Sequence, residues 1–472
     1  MQRDWLLEIF IGIVYSVILY NLFTAFTKKF TEDKSLLKYS NKAFWIKASC
    51  SLAFMIIHST LYGGDTNVYK MCISWLYSNF FHNPELIFNM LTAYNPDDPQ
   101  QFAIARVLYF GLDSREGLVV IIGTFISFIT FDTYLGIALF YSIFALSGMW
   151  AVFTIFVKYY PIAEKKLYYA FFCIPSLVFW SSGLLKDSLC IGAMGWLFWG
   201  IYKVVFTFKI HPLYIIIIVI SALMLKSIKV YILLCFLPAV VFWVFIERTA
   251  RIKNKIVKYV IGPIFFFAGS AGALYSVTQI TKNDSQYSLN NLGQTTKSTA
   301  EWIKYVSDVE RGSSYDLGEL DGSFGGMMKL APQAINVSLF RPYLWEARKP
   351  AVFISALESL FLLGFTLYIF RKVGFFETFK IIGSTPIVLF SVIFSVTFAF
   401  AVGISSYNFG TLVRYKIPLL PFYVSALIIM ESFIIKKKMK GKRTFFNVDE
   451  VMEKVEKKED EPKSFQSLEH TL

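Results

Sequence analysis

Apolar residues in this chain come in blocks of about twenty, separated by short polar stretches. A helix rises ~1.5 Å per residue, so a block of that length crosses the ~30 Å of bilayer hydrocarbon. The blocks predict eleven membrane-spanning helices, at 5–26, 44–62, 132–157, 167–182, 188–208, 212–225, 230–247, 256–277, 350–370, 381–402 and 417–436. A further apolar block, 117–131, reaches only ~22 Å and is expected to re-enter the membrane or lie along its surface. The first block holds Glu8, lacks a small-residue cleavage site and is followed by Lys28 and Lys29. It reads as a retained span, not a cleaved signal. The predicted class is an all-α, polytopic membrane protein of about eleven helices, without internal repeats.

Composition agrees. Of 472 residues, 56% are hydrophobic and only 17% charged, against ~25% in soluble domains, which excludes a disordered chain and an ordinary soluble enzyme. The net charge of +13 follows from loop placement. With the N-terminus outside, the short loops 27–43, 158–167, 203–212, 248–258, 371–380 and 436–443 lie in the cytoplasm and hold 24 Lys and Arg. The short loops opposite hold five: Lys186, Lys226, Lys229, Arg414 and Lys416. That asymmetry predicts an outside N-terminus and a cytoplasmic C-terminus in the inner (cytoplasmic) membrane. No basic stripe with interleaved aromatics points to nucleic acid. Cys50, Cys72, Cys173, Cys190 and Cys235 form no CxxC pair, and the histidines have no metal-ligand spacing.

The chain then divides into an added span and loop (1–43), a membrane module (44–277) with the outer loop 63–131, a large outer loop (278–349), C-terminal spans (350–436) and a cytoplasmic tail (437–472). Both large loops fall outside, and 63–131 is expected to carry helices lying on the membrane surface. Val68, Met71, Cys72, Trp75 and Leu76 follow helical spacing there, and a short helix is expected at about 100–110.

Candidate chemistry gathers on the outer side. Gly63-Gly64 closes a span with a tight turn and places Asp65 just beyond the hydrocarbon. Lys186 and Asp187 end the hairpin from Pro175, with Asp187 starting the next helix, where its charge suits the helix dipole. Lys226 and Lys229 sit together in a hairpin and are placed to hold a phosphate. Arg341 and Glu346 lie where loop 278–349 returns to the membrane, and Arg414 lies one turn from the last span. Each has a plain structural alternative: snorkelling lysines, a surface salt bridge, a boundary charge. Their shared side and depth favour a site facing a lipid with an anionic head group.

These residues resemble the GT-C superfamily of integral membrane glycosyltransferases, and also bacterial surface-polysaccharide polymerases. The likeness rests on Gly64-Asp65-Thr66 opening an outer loop, on the hairpin Ser181 to Asp187, and on the hairpin Asn408 to Arg414, and spans most of 44–436. The acid-bearing loop follows the second span here, where the pattern has it after the first. Asp65 lacks the acidic neighbour that many relatives carry. The resemblance implies transfer of a sugar or glycan from a polyprenyl phosphate or diphosphate to an acceptor hydroxyl outside the membrane, for a surface polysaccharide or glycoconjugate. Asp65 would be the base. Arg341, Arg414 and the Lys226/Lys229 pair would face the leaving phosphate, and Asp187 would orient a lysine or share a divalent metal with Asp65. Partners would be the lipid-linked donor, the glycan acceptor and envelope-assembly proteins. In a polymerase the arginines would outweigh Asp65. Two other classes stay open: a transporter or flippase, and a non-catalytic scaffold. Glu8 and Glu358 are the visible charges within spans.

Overall fold

The computed structural model describes residues 5–95, 97–105, 108–109, 111–112, 114–207, 210–250, 292–309, 312–348 and 350–443. In chain order the helices are α1 (Trp5–Phe30), α2 (Leu37–Ile57), α3 (Asp65–Phe80), α4 (Pro84–Ala93), α5 (Pro99–Ala105), α6 (Gly117–Thr130), α7 (Tyr134–Tyr159), α8 (Glu164–Phe172), α9 (Pro175–Trp180), α10 (Lys186–Ile201), α11 (Pro212–Ala250), α12 (Leu292–Val309), α13 (Phe324–Phe340), α14 (Pro350–Val373), α15 (Phe375–Ser384), α16 (Pro386–Ser406), α17 (Phe409–Tyr415) and α18 (Leu420–Arg443). Among the described residues no strand forms, and one isolated bridge joins Ser314 to Asn408.

Seven helices among the described residues are long and apolar enough to cross a membrane, or eight if α17 and the start of α18, bent by 67°, count as one crossing. A polytopic helical membrane protein is therefore the right class, and the differences from eleven straight spans have local causes. The expected span 167–182 is two short helices, α8 and α9, because Pro175 cannot continue a helix from α8. The expected spans 212–225 and 230–247 are the two arms of α11, which breaks where they were expected to part, at Lys229 (φ −144°, ψ 77°). Tyr214 lies on Trp199, Lys229 reaches Asp187 at the start of α10, and Trp243 lies on Phe206 beyond the end of α10. The chain thus climbs along α10 and returns. The span expected at 381–402 starts later, at Pro386, after the separate helix α15. The expected span 256–277 and the tail 444–472 lie outside the described residues. The apolar block 117–131 is α6, fourteen residues packed against α3, where Ile73 fills the space beside Gly123.

The core is built on α7 and α10, which approach through glycine. A Cβ on Gly148 would lie 2.3 Å from the Gly192 carbonyl oxygen, so only glycine permits this crossing. Around it Phe198 packs against Trp243, Phe390 and Phe422, binding α10, α11, α16 and α18 into one cluster. On α1, Leu6, Phe10, Ile13 and Leu22 remain exposed while Leu19 and Phe23 turn inward, the pattern of a helix with one face to lipid.

The two acids noted within spans both close helix ends. Glu8 accepts the backbone N–H groups of Tyr134 and Leu135, each at 2.9 Å, at the start of α7. Glu358 accepts the Ser176 N–H at 2.9 Å and its hydroxyl at 2.7 Å, at the start of α9. A buried helix start has unpaired N–H groups cut off from water, so a buried carboxylate there satisfies donors and the helix dipole together.

In the loop 63–131, α3 buries Tyr69, Cys72, Ile73 and Leu76, while Met71 of the expected apolar stripe is exposed. The short helix expected at about 100–110 is α5, seven residues whose first turn is capped by Asp98.

Candidate functional site

Four expected site residues meet at one end of the bundle. Asp65 is the first residue of α3. Before it, Gly63 (φ 62°) and Gly64 (φ 87°) take backbone conformations that side-chain-bearing residues avoid. The Asn67 side chain donates to the His58 carbonyl at 3.1 Å and fixes the turn. Asp187 sits in the first turn of α10. Lys229 is the break in α11. Arg414 is in the last turn of α17, a helix started by the Asn408 side chain, which accepts from Gly410 N–H and Thr411 N–H.

The contacts form one chain of charge. Lys229 Nζ donates to Asp187 Oδ1 at 2.5 Å, and Arg414 Nε donates to Asp187 Oδ2 at 2.6 Å. Arg414 Nη1 donates to Asp65 Oδ2 at 3.0 Å. The Asp187 side chain is 1% exposed and Lys229 6%, whereas Asp65 is 45% exposed. The network thus has a sealed end and an open end. Two acids balance two cations, as burial demands. Arg414 Nη2 is buried and has no hydrogen-bond partner among the described residues. The Trp180 ring faces the guanidinium at 5.9 Å, and the Tyr415 ring faces Lys229 at 4.5 Å. Beside Asp65, burial, with the acid's charge adding, pushes the Tyr69 phenol well above its ordinary range.

The other expected residues are placed differently. Lys186 pairs with Glu116 at 2.6 Å. Arg341 and Glu346 form a forked pair with each other, under the rings of Tyr343 and Phe409. Lys226 is exposed while Lys229 is buried, so the two lysines of the expected pair face different surroundings. The carboxylates of Asp65 and Asp187, expected as a shared metal site, have the Arg414 guanidinium between them. Among the described residues no group of three His, Cys, Asp or Glu is arranged to hold a metal ion. A cationic side chain between two acids does not fit a divalent metal there.

Three further residues shape the site. Trp180 sits in the hairpin that carries Asp187 and could have been read as the arginine's neighbour. Glu116 lies in the polar run before α6 and gave no separate signal. Lys47 lies within α2, 5% exposed, and donates to Ser181 O at 2.5 Å and Ser181 Oγ at 2.8 Å. A lone lysine inside an apolar block was its signal, and its ammonium now holds the end of α9 directly after Trp180.

No protein-family model, curated protein or solved structure matches the chain.

Proposed function

We propose that the chain is an integral membrane glycosyltransferase that moves a sugar or glycan from a polyprenyl phosphate or diphosphate to an acceptor hydroxyl, with its site at the Asp65–Arg414–Asp187–Lys229 network. The observation that carries the reading is the division of labour on one guanidinium. Its Nε is held by the sealed Asp187, its Nη1 by the half-exposed Asp65, and its Nη2 is unused.

An arriving carrier phosphate takes the Nη edge of Arg414, for which a guanidinium is well shaped. Asp65 then leaves the arginine and becomes a free carboxylate at the open end. The acceptor hydroxyl attacks the anomeric carbon while Asp65 takes its proton. The bond between that carbon and the carrier oxygen breaks, and the phosphate leaves with the bonding pair. Arg414 and Lys229 stabilise the charge gained by the leaving group. Asp187 holds both cations and touches neither substrate. A single displacement of this kind inverts the anomeric centre.

The charge asymmetry of the short loops supports an outer-face site in the cytoplasmic membrane. A polymerase joining glycans carried on two polyprenyl diphosphates would use the same residues. Transport gains less support, because Glu8 and Glu358 are committed to helix ends and Glu431 is paired with Lys166 and Lys372. The test follows surface polysaccharide length and lipid-linked precursors in membranes carrying wild type or Asp65→Asn. Normal expression, lost or shortened polymer and accumulated precursor support the reading. Unchanged glycan with both Asp65→Asn and Arg414→Ala sinks it.

A further inference from the structure

At the opposite end of the bundle, a cavity of about 270 Å³ lies between the ends of α1, α7 and α10. Its polar wall carries two acids and two lysines: Glu32, Asp33, Lys158 and Lys203. Its apolar wall includes Phe30, Trp199 and Tyr202. Glu32 joins both lysines, to Lys158 at 2.8 Å and to Lys203 at 3.3 Å, and its side chain is 64% exposed. Lys203 lies over the Trp199 ring at 5.6 Å. At the same end Ile162, next to the lining residue Pro161, and Leu213 are exposed apolar residues, as a surface covered by a bilayer would have.

We infer that this cavity binds the head group of a zwitterionic phospholipid, one that carries a phosphate and a primary ammonium close together. The charges match such a group in kind. The phosphate takes the lysines, which at present share Glu32. The ammonium takes Glu32, which the phosphate has released, with Asp33, the cap of the next turn, beside it. The acyl chains leave past Phe30 and the exposed apolar residues. A purely anionic head group satisfies the lysines but leaves Glu32 without a counter-charge, which sets the preference. The site shares no residue with the network around Arg414, so it stands independently of the transferase reading.

The test uses the full-length protein in mild detergent, stripped of lipid and then offered phosphatidylethanolamine, phosphatidylglycerol or soluble phosphoethanolamine. Bound lipid is read by native mass spectrometry, with unfolding temperature read alongside. The wild type is expected to retain phosphatidylethanolamine at least ~10-fold over phosphatidylglycerol. Glu32→Gln brings that ratio close to one, and Lys158→Gln with Lys203→Gln removes both lipids. Equal retention of the two lipids by the wild type overturns the proposal, as does a preference that survives Glu32→Gln. Glu32 is mostly exposed, so this variant folds and keeps the question answerable should the double lysine variant fail. Stabilisation by soluble phosphoethanolamine as large as that by the lipid overturns the lipid as the source.

Discussion

Arg414 donates its Nε–H to the buried carboxylate of Asp187 at 2.6 Å, across 227 residues of chain. The acid is also the partner of Lys229, so one sealed carboxylate holds two cations from two other segments. Asp65 meets the same guanidinium from the open side. On the proposed reading, stability and reactivity at this site therefore rest on different acids.

Asp187→Asn is expected to cost about 3–5 kcal/mol, because two buried cations lose their shared counter-charge. Asp65→Asn is expected to cost under ~1 kcal/mol, as for an exposed ion pair, while abolishing transfer. Thermal unfolding in detergent and glycan analysis, run on both variants, separate the two roles. A larger stability loss for Asp65→Asn than for Asp187→Asn would contradict this division.

Gly64→Ala adds a methyl group that meets nothing within 4 Å, so any loss comes from the backbone at φ 87° alone. The expected cost is about 1–3 kcal/mol, with Asp65 displaced from Arg414 and transfer reduced. Wild-type unfolding temperature and activity in Gly64→Ala would show that the turn does not position the acid.

Glu358→Ala leaves the Ser176 N–H unsatisfied at the start of α9, at an expected cost of about 1–3 kcal/mol. Glu358→Gln keeps an acceptor and is expected to lose less. Unfolding midpoints rank wild type, Gln and Ala in that order. Equal midpoints for all three would remove the capping role.

Acidification provides a fourth check. The Lys158 hydrogen bond, with Lys203 adding, holds the Glu32 carboxyl below the usual glutamate range. A lowered folded-state value means the contribution is present above the unfolded pKa (~4.3) and is lost as pH falls through the folded one. The ties from Glu32 to α7 and α10 should survive down to about pH 4 and loosen below it. Hydrogen exchange in the loop 31–36, compared between wild type and Glu32→Gln, reads this. Identical pH profiles for the two proteins would rule it out.

Much of this was legible because it depends on local rules. Gly63-Gly64 announces a turn in any context, and an acid directly after it starts a helix. Asp187 is likewise marked by its place at the edge of an apolar block. The pairing of these acids through Arg414 was not legible, since it joins segments far apart in the chain. Lys226 and Lys229 look alike in sequence, yet the break falls on Lys229 alone and turns its ammonium inward. Arg341 reads as a phosphate ligand from its depth, but Glu346, five residues on, already satisfies it. Glu8 and Glu358 seemed out of place in their spans because the helix ends they close belong to other segments. Pro175 did carry the signal that would have split the expected span 167–182.

The break at Lys229 also bears on how such a chain enters a bilayer. A bare charge resists partition into hydrocarbon, and a matched pair resists much less. Asp187 and Lys229 belong to neighbouring segments in synthesis order, so their two charges can enter the bilayer together as a matched pair. Asp65 waits at a wet surface, where its charge costs little. Arg414 is made long after both, and its segment completes the cluster by joining acids already in place. The order of the charges along the chain is thus an order of assembly, with Arg414, the latest made of the four, bringing the charge that balances Asp65.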